Sequence, residues 1–101
     1  MCEAFGAYGW VEGLKMMKWI TDHMISHGVN LIVPHAFDPK EFPDWDCPPH
    51  FYAHGNNPQY PYFHYFANYA NRLCNLMSDG HQICKVGVLY HALQNGLGTI
   101  C

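Results

Sequence analysis

A chain of 101 residues, half of them apolar and 16% aromatic, has room for one small domain with a modest core. Its net charge of −3, with only five Lys+Arg and no basic stripe, argues against a nucleic-acid partner. No apolar run approaches the roughly 18 residues of a membrane span, and the N-terminus MCEAFGAYGW lacks the basic and apolar regions of a signal peptide. No membrane partner is therefore expected, and a cytoplasmic location is favoured over export.

In chain order, residues 1–9 read as the end of a strand opening into a loop around one carboxylate, Glu3. From about Val11 to His27 a helical period sets in. Leu14, Met17, Ile20 and Met24, flanked by Met16 and Thr21, fall on one arc, with Glu12, Lys15, Lys18, Asp22, His23 and Ser26 on the other. Gly28 suits the left-handed position just past a helix end. Trp19 interrupts the polar arc and marks either an exposed ring or a docking surface for a partner.

The stretch GVNLIVPHAF, Gly28 to Phe37, then reads as a strand apolar enough to be buried on both faces, as in parallel sheets, and it ends at His35. Asp38 to Tyr60 follows, with five of the chain's seven prolines and no steady period, far longer than an ordinary connection. The helical period returns at Pro61, which fits the first helical position. Tyr62, Tyr65, Phe66, Tyr69, Ala70, Leu73, Leu76 and Met77 recur at steps of three and four up to a stop at Gly80. Ile83 to Tyr90 reads as a second buried strand, closed by His91, before an irregular tail. The order helix, strand, long loop, helix, strand defines an α/β fold, in which sites form at the C-terminal ends of the strands.

Five widely spaced cysteines without a C-x-x-C pair indicate neither a disulfide framework nor a zinc knuckle, and Cys74 and Cys84 read as small core residues. Of the eight histidines, His23 and His27 have helical zinc-ligand spacing but lack the adjoining Glu of a metalloprotease, and His50 and His54 read as loop histidines. Asp38, Asp44 and Asp46 offer oxygen ligands for calcium without the remainder of a calcium-loop pattern, so a solvated acidic turn is favoured. No metal and no cofactor are expected. Trp45, Phe51, Tyr52, Tyr60, Tyr62 and Phe63 either form a wall for flat sugar faces or simply seal the loop onto the scaffold. Glu3, in the apolar and glycine-rich setting CEAFGAYGW, is the most suggestive carboxylate: partial burial would raise its pKa and suit it to glycoside hydrolysis.

Three pieces of this sequence, EAFGAYGW, LKMMKWITDHMISHGVNLIVPHAF and YFHYFANYANRLCNLMSDGHQICKVGVLYHA, resemble bacterial TIM-barrel glycoside hydrolases of the α-L-rhamnosidase-like kind. They match the C-terminal end of the catalytic barrel and the start of the next domain. The resemblance implies a fragment of a (β/α)8 barrel, with residues 1–60 as its last units and substrate loop. Residues 61–101 would be a linker helix and the first strand of a following α/β domain. It makes Glu3 the candidate catalytic carboxylate and puts His35 near the sugar; Trp45, Trp10, Tyr52 and His91 are the further expected substrate contacts. Lys15, Asp22, Asn30, Arg72 and Gly80 would be scaffold positions. The relatives continue past His91-Ala92 with acidic residues, whereas this chain turns to LQNGLGTIC. A full barrel takes about 250 residues, so the strands before Glu3, with the second carboxylate, are missing.

The expected function is that of a glycoside hydrolase fragment acting on carbohydrate, inactive alone. The alternative is a non-catalytic module that binds carbohydrate or protein through the aromatic loop. Self-association, or association with a missing upstream polypeptide, is the expected consequence of the exposed apolar surface.

Overall fold

The structure is a computed structural model that describes residues 1–81 and 83–87. Strand β1, Cys2–Ala4, leads through a glycine-punctuated turn into helix α1, Leu14–Ser26, which returns the chain to strand β2, Ile32–Pro34. The two strands pair in parallel, Glu3 opposite Val33. This is the helical crossover that parallel pairing requires. Two 3₁₀ turns, Ala53–Gly55 and Tyr60–Tyr62, interrupt the long connection before helix α2, Phe63–Ser78. The fold is thus mixed α/β, with a small two-stranded parallel sheet.

Helix α1 starts at Leu14, three residues later than the periodicity predicts, because Gly9 to Glu12 closes a turn in which the Glu12 N–H donates to the Gly9 carbonyl at 3.1 Å. Its C-terminus is a Schellman motif: Gly28, at φ +88°, donates to the Ile25 carbonyl and Val29 to that of Met24. The expected start of α2 at Pro61 falls inside the preceding 3₁₀ turn. No described helix is long and apolar enough to cross a membrane.

The core gathers Ala4 and Phe5 from the end of β1, Met17 from α1, Phe51 from the long loop, and Phe66 and Ala70 from α2. Residues from both sides of position 60 therefore share it. Phe5 sits edge-on to both Phe51 and Phe66, at centroid distances of 6.4 and 5.6 Å. Ile25, which the helical wheel left unassigned, joins the buried face of α1, while Met16, expected beside the apolar arc, is exposed. A second staple holds the helices together: the Tyr69 hydroxyl donates to Asp22 at 2.6 Å, and Lys18 pairs with the other Asp22 oxygen at 2.7 Å.

Strand β2 is not buried on both faces. Val33 is 43% exposed, and Leu31 just before the strand 52%, because among the described residues β2 has one strand neighbour and no layer covers its second face. The second expected strand is not seen either: residues 83–87 form no element, Cys84 is exposed rather than in a core, and 88–90 lie outside the described residues.

Candidate functional site

The C-terminal end of β1 carries unusual backbone. Phe5 (φ +78°) and Ala7 (φ +65°) both adopt left-handed conformations that side chains other than glycine rarely take. Phe5 tolerates this because its ring is locked in the aromatic core, 1% exposed. Strain held by such packing is characteristic of ligand-facing turns. Next to it Gly6 lies flat against the His35 imidazole, where a Cβ would come within 3.2 Å of Cγ and Nδ1. His35 is itself fixed by its N–H, which donates to the Ala4 carbonyl at 2.8 Å.

These residues line a cleft of about 450 Å³ that contains Glu3, Phe5, Gly6, Tyr8, His23 and His35. Two of the sequence-predicted site residues, Glu3 and His35, thus line the same cleft. Glu3 is exposed, so the partial burial expected of it is absent, while Ala4 beside it is buried. The Nδ1 of His35 is buried without a hydrogen-bond partner, packed against Gly6.

The other expected substrate contacts do not reach this cleft. Trp45 is 74% exposed on the far part of the loop, and Tyr52 packs on Tyr60 at 4.9 Å. Trp10 wedges between Phe42 and His50. Phe51 and Phe63 seal the loop onto the scaffold, with Phe37 against both. His91 lies outside the described residues. The loop is nonetheless tied across the strand ends: Gly9 donates to the Pro48 carbonyl at 3.0 Å and Phe51 to that of Ala36 at 3.0 Å.

Sequence reasoning missed Glu12. Set on the polar arc of a helix, it would be solvated, but it precedes the helix and is only 7% exposed, with neither carboxylate oxygen hydrogen-bonded. Burial raises its pKa from 4.5 to about 7. No signal within one sequence marks this, since it depends on the loop folding over the turn.

His50 is also buried rather than at the surface, at 2% exposure, and its Nε2 bonds to the Asp46 carbonyl at 2.8 Å. It brings a nitrogen to Asp38 and Asp44, the three ligating atoms lying within 4.8 Å of one another. Two carboxylates and an imidazole form a donor set suited to a divalent cation. Here Lys40 already provides positive charge, 3.6 Å from Asp44 and 3.2 Å from Asp46. The Asp46 backbone N–H, followed by Asp38, holds the Asp44 carboxyl below its usual range. The acidic turn itself is built as an Asx arrangement, with Asp38 accepting from the Lys40 N–H and Asp44 from that of Asp46.

Compared with known proteins, the chain matches no family model, no curated protein and no solved structure.

Proposed function

We propose that the chain is a carbohydrate-binding segment of a glycoside hydrolase barrel, with Glu3 as the reacting carboxylate and His35 as a hydrogen-bonding partner of the sugar. The observation that carries this reading is the shared cleft: a carboxylate and an imidazole line one depression beside two parallel strands joined by a helical crossover. The strained turn at Phe5 and Ala7 beside them agrees with a ligand-facing role. The rest of the barrel, and the second carboxylate that glycoside hydrolysis needs, would come from polypeptide beyond this chain.

Glu3 is the only carboxylate among the described residues that line the cleft. The chain alone is therefore expected to bind sugar weakly without turning it over. A few hydroxyl contacts and one ring face give millimolar affinity at best, on the order of 4 kcal/mol.

Titration of the chain with L-rhamnose and a panel of hexoses, followed by NMR, tests this. Shifts at Glu3, Gly6 and His35 that vanish in His35→Ala are expected, together with no hydrolysis of aryl glycosides. Shifts confined to Trp45 and Tyr52 would instead favour the alternative module that binds through its aromatic loop. Hydrolysis abolished by Glu3→Gln would overturn the incomplete-site reading, and no shift at any residue would overturn sugar binding altogether.

A further inference from the structure

Although the chain is acidic overall, three of its five Lys+Arg residues line one groove. Lys15, Lys18 and Arg72 surround a depression of about 580 Å³ between α1 and α2, whose apolar walls include Tyr62, Tyr65 and Tyr69. Lys18 is neutralised by Asp22 and lies over the Tyr69 ring at 4.5 Å. Among the described residues Lys15 and Arg72 have no ion-pair partner. The groove therefore presents two uncompensated cations beside exposed tyrosine faces. It shares no lining residue with the Glu3 cleft.

The complementary surface is on the same molecule. The segment EFPDWD, Glu41 to Asp46, lies in a stretch with four carboxylates, Asp38, Glu41, Asp44 and Asp46, and one ammonium, Lys40, which pairs with Asp44 and Asp46. An Asx turn from Asp44 to Asp46 lies within this segment and another from Asp38 to Lys40 leads into it, which lowers the ordering cost of docking. Trp45 stands 74% exposed at its tip, next to exposed Phe42. An aromatic ring flanked by carboxylates matches a tyrosine-walled groove flanked by cations, both in charge and in the ring-on-ring contacts it offers.

We propose that the groove between α1 and α2 takes the Glu41–Asp46 loop of a second copy of this chain. The contact joins two different patches, so it is heterologous and builds open chains or a ring unless two such contacts close a dimer.

Sedimentation velocity over a range of concentrations tests the proposal with two variants. Trp45→Ala removes the loop anchor, and Lys15→Glu with Arg72→Glu reverses the groove. These side chains are exposed, and unfolding followed by circular dichroism checks that both variants fold. The wild type is expected to associate, and to do so at least about tenfold more weakly when salt rises from about 50 mM to about 500 mM. Each variant alone should be monomeric. Mixed in equal amounts, they retain one intact groove and one intact loop, and should form a 1:1 complex that grows no further.

A wild type that stays monomeric at every concentration would overturn the proposal. So would association that survives in either variant, which would assign it to the open face of β2 or to Trp19, and so would a mixture that gives no complex.

Discussion

The side-chain oxygen of Gln59 accepts a hydrogen bond from the backbone N–H of Leu14 at 2.8 Å across 45 positions of sequence. Helix α1 has Gly13 at its N-cap and no side-chain cap of its own, so the long loop supplies one. Gln59→Ala should cost about 1 kcal/mol, within the usual range for losing a cap, and should fray the first turn of α1. Gly13→Ala should act in the same direction, since its Cβ would come within 2.8 Å of the Gln59 amide. Denaturant unfolding and amide exchange at residues 14–17 measure both. Faster exchange in Gln59→Ala confined to the loop would show that the bond contributes nothing to α1.

Glu12 makes stability depend on pH in the sense opposite to most carboxylates. Its folded pKa of about 7 lies above its ordinary 4.5, so the folded state holds the proton more tightly than the unfolded one. The resulting stability is complete below about pH 4.5 and is lost as pH rises through 7, by at most roughly 3 kcal/mol. Glu12→Gln keeps the neutral shape and should flatten that decline, leaving the variant the more stable form at pH 8. Thermal midpoints between pH 4.5 and 8 provide the measurement, and parallel profiles for the two proteins would count against it.

Asp22 follows the usual direction. Lys18 first, and then the Tyr69 hydroxyl, hold its carboxyl below the usual range, so the stability it provides is present above its ordinary value of 3.8 and lost as pH falls through the folded pKa. Both Lys18 and Asp22 are substantially exposed, and the ion pair itself contributes little. The interhelical bond matters more: Tyr69→Phe should lose about 0.5–1.5 kcal/mol. In a double-mutant cycle with Asp22→Asn the effects should be less than additive, because each change breaks the same bond.

Local signals carried much of this architecture, and contacts between distant segments carried the rest. Gly28 marks the end of α1 because only glycine enters the left-handed region there cheaply, and the turn comes out as read. Spacing put Phe66 and Ala70 on the buried side of α2, where they lie, but it put Tyr62, Tyr65, Leu76 and Met77 there too, and these are exposed. The burial of Ile25 in place of Met16 was not legible, since a broad apolar arc leaves open which edge meets the neighbour. Glu3 and His35 were legible as residues at strand ends, whereas the burial of Glu12 and His50 depends on where an aperiodic loop settles. The apolar run Leu31 to Val33 encodes a preference for cover on two sides, and the described residues supply cover on one.

Two glycines beside the cleft separate packing from backbone strain. Gly6 has no unusual φ, but a Cβ on it would press on the His35 ring at 3.2 Å, so Gly6→Ala must displace the imidazole. Gly9 has φ +88° with open space around its missing Cβ, so Gly9→Ala meets only the left-handed backbone cost of about 1–2 kcal/mol. Gly6→Ala is expected to move the His35 ring resonances and to weaken sugar-induced shifts at Glu3 at modest cost in stability. Gly9→Ala should lower the thermal midpoint while leaving His35 and the sugar response in place. Ring-nitrogen NMR of His35 in both variants makes the comparison. Unchanged sugar shifts in Gly6→Ala, with a demonstrably moved ring, would remove His35 from the binding site.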